Sequence, residues 1–353
     1  MTRGAAFRRC VALTCLALPP IATGCADMFI GPPAPATNAA LFDQLWRDVD
    51  RHYPFLEYKG LNWDSLGALY RPRAIEAADA GQLAAVLGGL LNELRDSHVS
   101  LDAGGGAPIR YTGRATDRWF DAAATIQRYV VGATTSGGGH VVYGALAAGV
   151  GYLRLPSFRD AGWTAEIDAA LRALAARGAS DALVIDLRGN MGGSRATAVT
   201  AAERFADRPR TFGYLRFRSG ADHGDFSAYA AERIAPAGSA SFHGSVYLLT
   251  DRDVLSAAEE FVLAMRVLPS TTIVGDTTGG ASGGPVTREL SNGWTYQLSQ
   301  WIEYTPAGAI YEDVGLVPDV EVPMLQAEAS AGRDRPLERA IALARGGLGA
   351  SAE

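Results

Sequence analysis

The sequence predicts an α/β protein preceded by a small N-terminal helical domain. Two continuous apolar runs, Ala182 to Leu187 and Val246 to Leu249, have the character of strands buried on both faces, and each leads through a turn into a helix-forming stretch. Helical and strand-like segments alternate from about residue 150 onward. Ahead of them, apolar residues at 41, 42, 45, 46 and 49 recur with a helical period.

Taken in order, the chain starts with Met1 to Arg9, which hold three arginines, and no acid precedes Asp27. The apolar run Cys10 to Leu18 is shorter than the ~20 residues that span a bilayer. With Ala22-Thr-Gly-Cys25 behind it, the segment 1–24 reads as a secretory signal ending in a lipobox, with Cys25 lipidated as the mature N-terminus. Ala22 stands where bacterial lipoproteins usually carry Leu. The expectation is an exported protein held at the periplasmic face of the inner or outer membrane. Residues 25–40, rich in Pro and Ala, read as a tether.

The helical domain is expected over 41–102, with Pro54 ending the first helix and a second helical stretch over about 74–94. Residues 103–149 read as a β-rich connecting segment, with strands at 125–131 and 140–143 around a glycine-rich hairpin loop, 132–139, that lacks a phosphate-loop lysine. The core, 150–325, opens on a strand from Val150. A helix follows with Ile167, Ala170, Leu171 and Leu174 on one face, ending at Gly178. Strand 182–187 runs into the tight turn Gly189 to Gly193, and Ser194 caps the next helix. Residues 213–243 look like a polar, mobile cover. The piece 326–353 carries a last helix, 335–345, with Gly346 at its end.

Composition excludes several classes of function. All three cysteines, Cys10, Cys15 and Cys25, lie in or at the end of the leader, so the mature body has no thiol for disulfides, catalysis or metal. Without residues 1–24 the chain has 29 basic and 38 acidic side chains, net −9, which argues against nucleic acid. Five dispersed histidines offer no ligand spacing, and no metal or organic cofactor is implied.

The chemistry points to residue 256. Strand 246–249 passes through the turn 251–255 into a helix that begins at Ser256. A hydroxyl at a helix N-terminus has the positive dipole end behind it and unpaired N–H groups beside it. It could be an N-cap and no more, or a nucleophile whose oxyanion is held by the N–H of Ala257.

Six ordered segments decide between these readings: Leu94-Arg-Asp-Ser-His-Val-Ser-Leu101, Gly151-Tyr-Leu-Arg-Leu-Pro-Ser-Phe158, Asp186-Leu-Arg-Gly-Asn-Met-Gly-Gly193, Ser256-Ala-Ala-Glu259, Gly275-Asp-Thr-Thr-Gly279 and Glu312-Asp-Val-Gly-Leu-Val-Pro-Asp319. Together they resemble the tricorn-core and C-terminal-processing serine peptidase family over residues 40 to 345, and Phe42 to Trp46 with Trp63-Asp64 are similar to its bacterial lipoprotein members. The resemblance implies an α/β spiral core like that of the Clp protease and the crotonases. It also implies one of two catalytic arrangements. The stretch where processing members carry a lysine is Gly279-Gly-Ala-Ser-Gly-Gly284 here, and the chain's sole lysine is Lys59. The tricorn-like alternative is a Ser–His–Ser–Glu tetrad, whose positions are Ser256, His98, Ser97 and Glu312.

In that tetrad Ser256 attacks, His98 is the base, and Glu312 fixes the imidazole through Ser97. The oxyanion hole is the N–H of Ala257 plus one from the Gly192-Gly193 turn, Gly193 in preference. His52, His140, His223 and His243 keep structural roles. Asp186 and Arg188 read as scaffold and Glu259 as a dipole-complementing residue. The 48 or so residues between Asp102 and Val150 are too few for a peptide-binding PDZ module like that of the processing members, and the chain resembles the PDZ-less branch. The implied substrates are unfolded proteins or peptides, and homo-oligomers are known in the family. Two other classes stay open: a catalytically silent protein binding an apolar ligand or a peptide on the same fold, and an acyl-ester hydrolase or isomerase.

Overall fold

The computed structural model describes residues 36–113 and 119–350, so the leader and Cys25 lie outside the described residues. Helices α1 (Asn38–His52), α2 (Trp63–Ile75) and α3 (Ala80–Asn92) form the N-terminal unit. Each starts on a polar cap, Thr37, Asn62 and Asp79, whose side-chain oxygen accepts a first-turn N–H. The Asp79 cap also explains why the helix expected over 74–94 is two helices: α2 ends at Ile75 and a fresh one starts at Ala80.

A turn carrying His98 leads to β1 (Ser100–Asp102), β2 (Ile109–Arg110), α4 (Ala122–Tyr129), β3 (Val131–Thr135) and β4 (Val142–Ala145). The strand expected at 125–131 is mostly helix. Asp121 caps α4 by accepting from Ala124 N–H, and the Thr125 hydroxyl is drawn to Asp334 at 2.7 Å, a tertiary contact that overrides local alternation. The strand expected at 140–143 is displaced to 142–145.

The core then runs β5 (Gly151–Arg154), α5 (Thr164–Ala176), β6 (Ala182–Asp186), α6 (Arg195–Ala202), β7 (Arg210–Phe217), β8 (Ala230–Ile234), β9 (Ser245–Thr250), α7 (Ala257–Arg266), β10 (Thr271–Gly275), β11 (Pro285–Glu289), β12 (Thr295–Ser299), β13 (Trp301–Tyr304), β14 (Val320–Glu321), α8 (Gln326–Ser330) and α9 (Arg335–Ala350). Seven strands make the central sheet in the order β14-β10-β9-β6-β5-β4-β3. The first five in that order are parallel, while β4 and β3 are antiparallel additions. Helices α5, α6 and α7 pack on one face, and α9 covers the other through Leu337, Ala340 and Ala344. Gly346 does not stop α9, because its backbone stays out of the left-handed region that a terminating glycine adopts.

Two smaller sheets join the halves of the chain. In the order β11-β12-β1-β2, the strand after His98 pairs with a strand almost 200 residues later, Ser100 facing Gln297. The stretch expected to be a mobile cover is instead paired: β7 and β8 form an antiparallel hairpin, and β13 joins β7. The N-terminal helices therefore share one apolar cluster with Leu290, Tyr296, Leu298, Ile302 and Tyr304 from the far end of the sequence.

Candidate active site

Two serines begin helices in this fold, and their backbones differ. Ser194 has φ −77° and ψ 118°, the extended conformation of a cap, and its Oγ accepts from Thr197 N–H at 3.3 Å. Ser256 has φ 55° and ψ −129°. A positive φ costs a non-glycine residue of order 1–3 kcal/mol and persists only where the surroundings over-determine it. Here they do. The Ser256 N–H donates to the Ala281 carbonyl and to Glu259 Oε2, each at 3.1 Å. Helix α7 behind it is buried all round, from Ala257 to Met265.

Loop 276–284 ties the site together. Ala281 O receives Ser256 N–H, and the next carbonyl, Ser282 O, lies 3.0 Å from His98 Nδ1. The Ser256 amide and the imidazole are thus pinned to consecutive residues. A carbonyl only accepts, so Nδ1 carries the proton and Nε2 of the neutral ring holds the lone pair that a general base needs. Ser256 Oγ and His98 Nε2 do not hydrogen-bond to each other in this structure; such pairs often tighten only around bound substrate.

Glu312 is buried, and its Oε2 accepts from Ser282 N–H at 2.7 Å and from Ser282 Oγ–H at 2.9 Å. Ser97, in contrast, is exposed on the cleft wall and makes no hydrogen bond to Glu312 or His98. The position expected for Ser97, between base and carboxylate, is occupied by Ser282, which reaches forward to His98 with its carbonyl and back to Glu312 with its amide and hydroxyl. The physical reason lies in the turn before β1: Asp96 Oδ1 accepts the His98 N–H at 2.8 Å, and that bond turns the backbone so that residues 96 and 98 point inward and 97 outward.

The N–H groups expected to hold an oxyanion are separated in the same way. Gly192 N–H is already engaged with Asn190 Oδ1 at 2.9 Å, which removes Gly192 as a donor. Among the described residues Gly193 N–H and Ala257 N–H have no acceptor. The two loops touch: a Cβ on Gly192 would lie 2.9 Å from Ala257 N and 2.9 Å from Ser256 Cβ. Gly193 has φ 140° and bridges to Phe158, so close that any side chain would strike the Phe158 and Arg159 backbone. Asn190, quoted in a sequence motif but given no role, holds both loops: its Nδ2 donates to Leu155 O and its carbonyl accepts from Leu255 N–H.

Other buried charges brace the surroundings. Arg188 forms paired hydrogen bonds to Asp186 and Asp334, with Tyr152 OH on Asp186. Glu259 accepts from Ser256, Gly280 and Ala281 N–H and from the Thr278 hydroxyl; burial outweighs these bonds and pushes its carboxyl up to about 7. It therefore holds the Ser256 turn, a role beyond complementing a dipole. Asp96, fully buried, also accepts from Tyr53 OH and Ser299 Oγ and lies 3.9 Å from His98 Nδ1. Of the remaining histidines, His140 bonds Glu166 and stacks on Trp163, and His223 bonds Asp50. Among the described residues no cluster of His, Cys, Asp or Glu could hold a metal ion, and no helix is long and apolar enough to cross a membrane.

A cleft of about 730 Å³ is lined by Tyr58, Lys59, Ser97, Leu255, Gly280 and Glu312. It meets a second cavity of about 590 Å³ at Met191, Arg252 and Asp253. The second cavity lies outside the carboxyl ends of β5, β6, β9 and β10, where α/β sheets bind ligands.

A strained serine at a helix N-terminus, an oriented imidazole and two vacant N–H donors are the parts of a serine-type hydrolase. The sequence model of peptidase family S41 matches residues 149–322, and that of the tricorn protease C1 domain matches residues 34–92. Residues 149–322 thus carry a peptidase family S41 domain, preceded over residues 34–92 by a tricorn C1 domain. It is 33% identical over 209 residues to tricorn protease homolog 1 of Streptomyces coelicolor, covering 56% of this chain and 17% of that one. Against the carboxy-terminal-processing protease of Bartonella bacilliformis the identity is 24% over 188 residues, covering 52% of this chain and 41% of that one. The chain thus spans less than half the length of either relative. A crystal structure of a candidate peptidase from Parabacteroides merdae superimposes with a TM-score of 0.77 at 28% identity, covering 88% of this chain and 97% of that one. The photosystem II D1 C-terminal processing protease shares the fold, with a TM-score of 0.53 at 18% identity, covering 82% of this chain and 94% of that one.

Proposed function

We propose that the protein is an endopeptidase that hydrolyses peptide bonds of unfolded proteins or peptides with Ser256 as nucleophile and His98 as base. The observation that carries this reading is the pinning of Ser256 N–H and His98 Nδ1 to the consecutive carbonyls of Ala281 and Ser282. Ser256 Oγ attacks the scissile carbonyl carbon while His98 Nε2 takes its proton. The oxyanion forms against Ala257 and Gly193 N–H. The imidazolium then protonates the leaving amine, the C–N bond breaks, and an acyl-serine remains. Water, deprotonated by His98, attacks that ester, and the proton returns to Ser256 as the acid leaves. Ser282 and Glu312 keep the imidazole in the required tautomer.

The test is turnover of unfolded casein by the purified chain beside Ser256→Ala and His98→Ala. Each variant is expected to keep its circular dichroism and lose roughly four to six orders of magnitude in kcat/KM. Activity unchanged in both would sink the assignment.

The reading also includes export and lipidation at Cys25, supported by the basic start, the apolar run 10–18 and Ala22-Thr-Gly-Cys25. Cells fed radiolabelled palmitate should label the wild type and not Cys25→Ser. Labelling of both, or of neither, would refute the anchor. The localisation that goes with it is the periplasmic face of the inner or outer membrane.

A further inference from the structure

Lys59 is the only lysine in the chain, and the fold brings it against a carboxylate 253 positions away. Its Nζ donates to Glu312 Oε1 at 3.2 Å, to Asp313 Oδ1 at 3.1 Å and to the Arg95 carbonyl at 3.2 Å, so all three ammonium protons have acceptors. The side chain is 1% exposed, and the ammonium lies 5.7 Å from the centre of the Phe55 ring. Arg95 reciprocates by donating to the Lys59 carbonyl, and it does so from a strained backbone with φ 50°.

The two oxygens of Glu312 divide their work. Oε1 faces Lys59 and Oε2 takes both donors of Ser282. A continuous path therefore runs from Lys59 through Glu312 and Ser282 to His98 Nδ1. We propose that Lys59 is a positioning residue of the peptidase site, the counter-ion that keeps Glu312 ionised and aimed at Ser282 so that Ser282 in turn orients His98. The proposal rests on the serine peptidase reading given above. In this role the lone lysine is not the base of a Ser–Lys dyad; it acts two residues removed from the imidazole.

The charges around Glu312 explain why a cation is needed. The N-terminal elements present Asp96, His98, Arg95 and the phenols of Tyr53 and Tyr58; Tyr58 OH donates to the Glu312 carbonyl, and Tyr53 OH to Asp96. Its own loop presents Asp313, and the loop before β11 presents the neutral Ser282. Burial first, then the carboxylates of Asp96 and Asp313, push the Glu312 carboxyl well above the usual carboxylate range, and Lys59 with the Ser282 N–H limits that rise. Without the lysine, ionisation of Glu312 requires a higher pH. A protonated carboxyl would also present a donor where two are already converging.

The test measures kcat/KM on unfolded casein from about pH 5 to 10 for wild type, Lys59→Met and Lys59→Arg, with Ser256→Ala as background. A second readout needs no substrate. Lysine labelled with ¹³C at Cε gives one resonance, because the chain has one lysine, and it is titrated in wild type and in Glu312→Gln. Lys59→Met is expected to lose at least about tenfold at neutral pH, with its acidic limb moved up by roughly one to three pH units and activity recovering in alkali. Lys59→Arg should keep the limb near its wild-type position. The lysine resonance should stay in its charged form to higher pH in wild type than in Glu312→Gln.

A loss that is uniform across pH, or identical lysine titrations in the two proteins, would overturn the proposal while leaving the peptidase reading intact. A wild type no faster than Ser256→Ala would show that the underlying reading had failed, and this proposal with it. Should Lys59→Met not fold, the titrations alone decide.

Discussion

Glu259 lies wholly buried in the first turn of α7 and receives four donors, three of them backbone N–H groups that define the Ser256 turn. Burial pushes it up to about 7, and Glu303, buried beside it with Tyr311 OH as donor, also reaches about 7. Both titrate near 4.5 in the unfolded chain. The folded protein therefore binds more protons than the unfolded one between about pH 4.5 and 7. The stability this contributes is fully present below that window and lost as pH rises through it. Each raised pKa unit is worth about 1.4 kcal/mol. The thermal midpoint should accordingly fall between pH 5 and pH 8 in scanning calorimetry, and a flat or rising midpoint would refute the assignment. Catalysis should move the opposite way over the same range, because a protonated Glu259 cannot accept from all four donors. Glu259→Gln puts an NH₂ donor among those N–H groups and should cost about 1–3 kcal/mol in stability, read by urea unfolding, with a larger loss in kcat.

At the level of elements, the site stands where two glycine-dependent turns meet the start of α7. Gly193→Ala is expected to lower stability by at least roughly 1–3 kcal/mol and kcat by about 10²–10³, since the new Cβ would push the 189–193 turn off Phe158 and move its oxyanion donor. Urea midpoints and initial rates would show both losses; a variant with normal kcat would refute the Gly193 assignment. This part of the site was legible in the sequence. Strand 246–249, the turn after it, the helix at Ser256 and the glycine turn after 182–187 are local patterns, and the structure has each. What stayed hidden depends on distant pairing. In the sequence Ser282 is one residue of a glycine-rich stretch without a lysine, and Lys59 a lone lysine in the N-terminal region. Only their meeting with Glu312 gives them work. The resemblance puts Ser97 in the tetrad, and one hydrogen bond, from the His98 N–H to the Asp96 carboxylate, turns it outward. Segment 125–131 alternates like a strand, yet a buried bond to Asp334, more than 200 residues later, holds its start in a helix.

On the scale of the whole molecule, the segment matched by the family S41 model, residues 149–322, does not contain the site. It carries Ser256, Ser282 and Glu312 but lacks His98 and Lys59. It would also expose Tyr296, Leu298, Ile302 and Tyr304, which the N-terminal helices bury. Expressed alone it should be insoluble, or else bind the dye ANS strongly without sharp near-ultraviolet dichroism. A soluble, cooperatively folding 149–322 would show that the two halves are independent. The pairing of β1 with β12 has a further consequence, for the timing of synthesis. On a growing chain His98 is made early, but its strand has only the two-residue β2 beside it until residues 295–297 exist, and Glu312 follows later still. The proposed hydrolytic centre thus cannot assemble on the ribosome until most of the polypeptide has been translated. A newly made molecule should therefore be without its proposed activity, toward its neighbours and toward itself, for nearly the whole of its birth.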